Sequence, residues 1–318
     1  MRNTLLSIKD LKTYFYTYVG VVHALNGVNL EVYENEWLGI VGETGSGKSV
    51  TAMSLLKLVP PPGKIESGEV IFDNENILDK NDAEIRKVRG AKISMVFQDP
   101  SSSLNPLINV GFQISETTMW HQHLKKPEAT KKALEMLERV GIPSPDKRML
   151  EYPHQLSGGM KQRVMIAIAL SLNPKLLIAD EPTTNLDVTT QAQIIYLMKD
   201  LQKEFKNSVI LITHNLGVVS KTTDRVAVMY AGRVVEKAPT REIFKNPKHP
   251  YTIGLMATLP SLKAEWLEAI PGTVPSLLQP PTGCQFASRC KSVMDKCWTE
   301  DPEPKELNKD HWVECHLY

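Results

Sequence analysis

Eight residues near the start of the chain, Gly42-Glu43-Thr44-Gly45-Ser46-Gly47-Lys48-Ser49, constrain its folding more than any other stretch. An apolar run from Trp37 to Val41 leads into them, and a helix-compatible run from Ser49 to Val59 leads out. This is the G-x-x-x-x-G-K-[ST] phosphate-binding pattern in the strand–loop–helix setting that it requires. Glycines permit backbone angles that residues with a Cβ resist, so successive N–H groups can turn toward one anion. Lys48 is expected to reach the β- and γ-phosphates and the Ser49 hydroxyl to ligate Mg²⁺, while the helix N-terminus adds partial positive charge. A glycine-rich turn with a chance Lys-Ser is the competing reading, and the flanking strand and helix count against it. The loop predicts nucleoside triphosphate binding.

At 318 residues the chain suits one large or two modest domains. A formal charge of +1 argues against a polyanion-binding surface, and so against nucleic acid as a partner. The longest unbroken apolar stretch, Val164 to Leu170, is far short of the about 20 residues that a membrane-spanning helix needs. The first ten residues, Met1 to Asp10, hold too short an apolar region for a signal peptide, which points to a cytoplasmic protein.

Upstream of the loop, Leu6–Phe15, Val28–Val32 and Trp37–Val41 read as short strands. Tyr14, Phe15, Tyr16 and Tyr18 close the first; one could stack on a nucleobase, although the cluster alone is better read as ordinary strand aromatics. Pro60-Pro61-Pro62-Gly63 stops the helix that follows the loop. Gly68–Phe72 and Ile93–Phe97 read as strands, and the second delivers Gln98 to a loop. From Pro106 to Arg148 the pattern turns helical and charged.

Ser157-Gly158-Gly159 then opens a helix running to Leu172 and exposes a second set of unpaired N–H groups suited to an anion. A plain serine cap is the alternative. Leu176 to Asp180 is a continuous apolar run of the kind buried on both faces of a parallel sheet, and it ends in two acids, Asp180 and Glu181. Acids at a strand's C-terminal end face the crevice where ligands sit. Asp180 could hold Mg²⁺ through its water shell, and Glu181 could orient or deprotonate an attacking water. Thr183 to Asp187 is a polar turn into a helix from Gln191 to Lys203, and the apolar strand Ser208–Thr213 delivers His214. Arg225–Tyr230 and Arg233–Glu236 make a hairpin. Beyond Asn246, Pro247, Pro250, Pro260, Pro271, Pro275, Pro280 and Pro281 break any long element, which reads as an appended module.

Taken together, these residues resemble the ATPase subunits of ABC transporters. Gly42–Ser49 falls on the Walker A loop, Gln98 on the Q-loop, and Leu156-Ser157-Gly158-Gly159-Met160 on the signature. Asp180 and Glu181 fall on Walker B and the catalytic glutamate, Thr184 to Asp187 on the D-loop, and His214 on the switch histidine. Asn185 departs from the small apolar residue usual in that loop. The resemblance implies an α/β P-loop NTPase with a mixed sheet core, an N-terminal antiparallel β subdomain and an inserted helical subdomain at about 100–172. ATP and Mg²⁺ would be bound through Gly42, Glu43, Thr44, Gly45, Ser46, Gly47, Lys48, Ser49, Gln98, Asp180, Ser157, Gly158, Gly159 and Asp187. Glu181 and His214 would be catalytic. Phe15 is the favoured base-stacking aromatic, with Tyr16 or Tyr18 as alternatives.

His249-Pro250-Tyr251-Thr252, Pro271-Gly272-Thr273-Val274-Pro275 and the tail from Gly283 look like the extension of oligopeptide/dipeptide importer ATPases. The expected division is an ATPase domain over 1–246 and an extension over 247–318. The implied function is ATP-driven import of di- or oligopeptides, with oligosaccharides or nickel as alternative cargo and a soluble ABC ATPase as the alternative class. The implied partners are a second, non-identical ATPase subunit, two transmembrane permeases and, indirectly, an extracytoplasmic binding protein, with the chain peripheral on the cytoplasmic face of the membrane.

All four cysteines lie in the extension, spaced Cys284-x₅-Cys290-x₆-Cys297-x₁₇-Cys315. A cytoplasmic setting disfavours structural disulfides and makes metal or iron–sulfur ligation the natural role for clustered thiols. The spacing matches neither paired zinc knuckles nor the bacterial ferredoxin run, so it names no metal. The family resemblance implies a [4Fe–4S] cluster, with Zn²⁺ or unliganded thiols as alternatives.

Overall fold

The computed structural model describes residues 2–258 and 270–318, so Pro260 lies outside the described residues. They group into two compact units, Met1–Asp79 with Leu211–Tyr318, and Lys80–Ile210.

The first unit opens with β1 (Thr4–Thr17), β2 (Gly20–Tyr33) and β3 (Trp37–Val41), followed by α1 (Lys48–Leu55), β4 (Gly63–Phe72) and β5 (Glu75–Asn76). An antiparallel sheet runs in the order β2-β1-β4-β5. Leu6 lies opposite Val32 and Phe72, and Ile8 opposite Leu30 and Val70; all six are buried, so alternate residues of three strands share one apolar face. Helix α1 stops four residues before the expected Val59, because Lys57 turns left-handed at φ 52° and three prolines follow.

The second unit holds α2 (Asp82–Val88), β6 (Ile93–Val96), α3 (Pro100–Ser103), α4 (Val110–Gln122), α5 (Lys126–Arg139), α6 (Pro145–Arg148), α7 (Gly158–Leu170), β7 (Leu176–Asp180) and α8 (Val188–Phe205). β6 and β7 pair in parallel, Ile93 beside Leu176 through Val96 beside Ala179, and both are buried throughout. That burial is why neither strand shows apolar–polar alternation. α5 turns Ala129, Ala133, Met136 and Leu137 inward, and α4 and α5 both pack on α7. These helices make up the helical insertion.

After β8 (Ser208–Ile212), which spans the division, the first unit resumes with α9 (Leu216–Thr222), β9 (Arg225–Tyr230), β10 (Arg233–Pro239), α10 (Thr240–Lys245), α11 (Pro250–Ala257), α12 (Lys296–Thr299), β11 (Pro304–Asn308) and β12 (His311–Glu314). β3 pairs in parallel with β9, and β9, β10, β12 and β11 continue antiparallel, which makes the sheet mixed. The proline-rich tail thus adds two strands to the sheet of the phosphate loop's own unit. The Glu236 side chain, 0 % exposed, accepts N–H bonds from Lys248 and His249 at 2.8 Å each and contacts His311 Nε2 at 2.8 Å. A buried carboxylate needs such partners. Tyr230, Tyr251 and Phe286 pack at tilted and edge-on angles with centroids 4.6–5.5 Å apart, joining β9, α11 and the cysteine-bearing segment. Burial pushes the pKa of His249 down to about 4, and its ring Nδ1 accepts the Tyr251 N–H at 3.0 Å as a neutral ring does.

Candidate nucleotide-binding and hydrolysis site

The phosphate loop joins β3 to α1, as its motif requires. Gly42 sits at φ 154°, and a Cβ there would come within 2.1 Å of the Met229 carbonyl, so no other residue fits. Lys48 is buried, and its ammonium donates to the carbonyls of Gly42 and Glu43 at 2.8 Å each and to Ser46 Oγ at 3.3 Å. The lysine thus lies back across its own loop, a compact cation on a flexible stem with acceptors that a phosphate would replace. Thr44 and Gly45 are exposed at the loop's crest, Ser49 is half-buried in the first turn of α1, and Gly47 is its N-cap. Glu43 does not face outward: its carboxylate binds Arg289 at 2.8 and 3.1 Å.

His214 is exposed two residues beyond the end of β8, and Asn215 beside it caps α9. Phe15 is half-buried on β1 opposite Val22 and Gly63. Tyr16 donates to Glu66 at 2.9 Å, whereas Tyr18 is wholly exposed.

In the second unit, Gln98 and Glu181 come from the ends of adjacent parallel strands, β6 and β7. Gln98 Nε2 donates to Glu181 Oε2 at 2.9 Å; the amide oxygen, the atom a cation would use, takes no part in that bond. Thr184 Oγ1 donates to the same carboxylate oxygen at 2.9 Å, a partner that sequence reasoning missed. Glu181 itself sits at φ 45°, a strained angle for a side chain with a Cβ. Asp180 is buried. Asn185 adopts φ 65°, which asparagine tolerates far better than a small apolar residue does, so its departure from the family pattern has a backbone reason. Asp187 caps α8, accepting from Thr190 N–H at 3.0 Å and Thr190 Oγ1 at 2.6 Å; these bonds hold its carboxyl below the usual range.

Ser157 caps α7, accepting from the Met160 N–H at 3.4 Å. Ser157 and Gly158 are exposed. A Cβ on Gly159 would meet Thr190 Cγ2 at 3.0 Å, so the glycine pair brings the bare start of α7 against α8. The helix start offers N–H groups with no side chain in front of them.

Residues 25–184 match the family model for ABC transporters, and residues 235–297 match the model for the oligopeptide/dipeptide transporter C-terminal region. The chain belongs to the ABC transporter family. It is 51 % identical over 317 residues to the oligopeptide transport ATP-binding protein OppD of Bacillus subtilis, covering 98 % of this chain and 88 % of that one. It is 48 % identical to the dipeptide transport ATP-binding protein DppD of the same organism, covering 98 % and 94 %. The fold matches a dimeric ATP-binding cassette solved with ADP and Pi, with a TM-score of 0.67 at 32 % identity over 74 % of this chain and 99 % of that one. The chain is thus an ATP-hydrolysing subunit of the transporter type. Among the described residues no helix is long and apolar enough to cross a membrane.

The expected metal site needs correction. Among the described residues, no three His, Cys, Asp or Glu side chains are grouped to hold a metal ion, so the structure lends no support to the expected iron–sulfur cluster or to its zinc alternative. The four thiols are nonetheless neighbours. Burial pushes the pKa of Cys284 up to about 11, and charges on Cys297, Cys315 and Cys290 would push it further. Cys290 feels Cys297, and Cys315 feels both, so all six pairings are within electrostatic range. Backbone N–H groups point at the sulfurs, from Ser292 to Cys290 at 3.4 Å and from Met294 to Cys297 at 3.5 Å. Gly283 has no room for a Cβ, which would lie 2.4 Å from the Cys297 carbonyl, so the backbone strands of this cluster pack in direct contact.

Proposed function

We propose that this ABC ATPase energises an importer for di- or oligopeptides. The observation that carries this reading is the match of residues 235–297 to the oligopeptide/dipeptide C-terminal region, on a chain about half identical end to end to OppD and DppD. On this reading the ATPase domain spans 1–246 and the extension 247–318.

The motif positions assign the roles. Lys48 and the loop N–H groups bind phosphate oxygens, and Phe15 meets the base. Ser49, Asp180 and Gln98 offer the oxygen donors that Mg²⁺ prefers. Glu181 polarises the attacking water, with its carboxylate aimed by Gln98 and Thr184, and His214 contacts the γ-phosphate. Ser157, Gly158, Gly159 and Asp187 serve the nucleotide bound by a second ATPase subunit. Positioning and charge stabilisation carry this chemistry, since phosphoryl transfer asks little covalent work of the protein. The partners on this reading are a non-identical ATPase and two permeases, with the chain on the cytoplasmic face of the membrane.

The test is uptake of labelled di- and tripeptides by cells lacking this chain. Uptake should be lost, return with the wild-type chain, and stay absent with Lys48→Ala. Undiminished uptake without the chain would overturn the reading.

For Cys284, Cys290, Cys297 and Cys315 we infer a [4Fe–4S] cluster rather than zinc. Four thiols within electrostatic range of one another, two of them with backbone N–H donors at sulfur, are the ligand set that such a cluster takes. Bound there, the cluster would staple a short, proline-rich module. Full-length chain purified anaerobically should be brown and carry about four irons. A colourless, iron-free preparation would refute it.

A further inference from the structure

One arginine of the extension reaches into the phosphate loop. Arg289, immediately before Cys290, has a side chain only 4 % exposed. Nε donates to the Pro271 carbonyl at 2.8 Å. Nη1 donates to Glu43 Oε2 at 2.8 Å and Tyr230 Oη at 3.3 Å, and Nη2 to Glu43 Oε1 at 3.1 Å and the Ile270 carbonyl at 3.3 Å. All five N–H donors of the guanidinium are thereby used. Its plane also lies beside the rings of Tyr230 and Phe286, 5.7 and 5.9 Å from their centroids.

Glu43 is the second residue of the loop, and each of its polar groups is held. The carboxylate takes the arginine fork, the N–H donates to Tyr251 Oη at 2.9 Å, and the carbonyl accepts from Lys48 at 2.8 Å. A planar bidentate pair fixes orientation as a point contact does not. It also answers an electrostatic problem, because a bare carboxylate in a loop that gathers a polyanion would repel its ligand.

We propose that Arg289 is a positioning residue for nucleotide binding: it neutralises Glu43 and draws it aside, so that the cysteine-bearing extension sets the affinity of the phosphate loop. The inference rests on the reading of Gly42–Ser49 as the ATP loop.

Calorimetric titration of full-length chain with Mg-ATP tests both. Arg289→Ala should weaken binding about tenfold, the change that ~1.4 kcal/mol gives. Measured against Glu43→Gln itself, adding Arg289→Ala should change affinity by no more than about threefold, because the arginine matters only while the carboxylate is present. Arg289→Lys, which keeps charge without the fork, should lose about threefold and replaces the alanine variant if that fails to fold. Wild-type affinity in a folded Arg289 variant would overturn the proposal. So would a further loss of about tenfold when Arg289→Ala is added to Glu43→Gln, the result of a merely structural role. If instead Lys48→Ala binds as tightly as wild type, it is the reading of the loop that fails.

Discussion

Within one compact unit, the phosphate loop closes on itself: Lys48 reaches back no more than six residues, to Gly42. The extension is held by partners far along the chain, Arg289 to Glu43 across 246 residues and His311 to Glu236 across 75. A contiguous motif shows much of its own geometry, because Lys48 bonds within the loop, although Gly42 and Gly47 also answer to distant backbone at Met229 and Ala24. A segment held by distant partners shows its composition in the sequence and hides its contacts. The extension's four cysteines and nine prolines announce a module; they do not announce that Arg289 grips the loop or that β12 pairs with β10.

Glu181→Gln probes the side of this comparison that is written in a motif, and carries the largest expected effect. The variant keeps a side chain of the same shape, with Gln98 and Thr184 still in reach, and loses the base. ATP binding should persist while hydrolysis by the assembled transporter falls by about 10²- to 10⁴-fold, the range typical of general-base catalysis. Near-wild-type turnover would remove Glu181 from that role.

The legible part of the molecule follows the same division. β3, β7 and most of β8 stand where apolar runs placed them, because strands buried on both faces leave continuous runs with polar ends. The places of the candidate residues Gly42–Ser49, Gln98, Asp180, Glu181 and His214 were readable for the same reason: each sits at a strand end or on a loop that follows one. Elements governed by remote contacts were not readable. β2 and β4 run longer than their apolar cores because pairing with β1 carries them through polar residues. The pattern from Pro106 to Arg148 gave one helical region, where caps at Asn109 and breaks at His123 and Gly141 make three helices. The spacing of the cysteines left their ligand open, and it did not show that the backbone of Cys284 bonds that of Cys297.

Glu236→Ala probes the long-range side. Its loss leaves the N–H groups of Lys248 and His249 and the ring of His311 without their acceptor in a buried setting, and removes the tie between β10 and the start of β12. Breaking a buried, hydrogen-bonded carboxylate of this kind costs about 3 kcal/mol. Thermal unfolding followed by circular dichroism should shift down by several degrees, and limited proteolysis should cut first after residue 247. An unchanged melting curve would mean that the β10–β12 ladder, the Arg289 fork and the aromatic contacts anchor the extension without Glu236.

The smallest effect belongs to a residue that crosses the comparison, close in sequence yet invisible as a partner. Thr184 lies three residues past Glu181, in a polar turn whose composition suggests only a loop. Its hydroxyl donates to the same oxygen that Gln98 binds, so two donors from different strand ends fix one carboxylate whose backbone is already strained at φ 45°. Thr184→Ala removes one donor and leaves the charge, the second donor and the strain. A hydrogen bond to a charged group is worth about 1.5 kcal/mol, so if the bond serves to aim the base, kcat should fall about tenfold while KM for ATP stays put. Thr184→Ser keeps the hydroxyl and should recover most of the rate. An equal loss in both variants would show that the threonine methyl packs the turn, and that Gln98 alone aims Glu181.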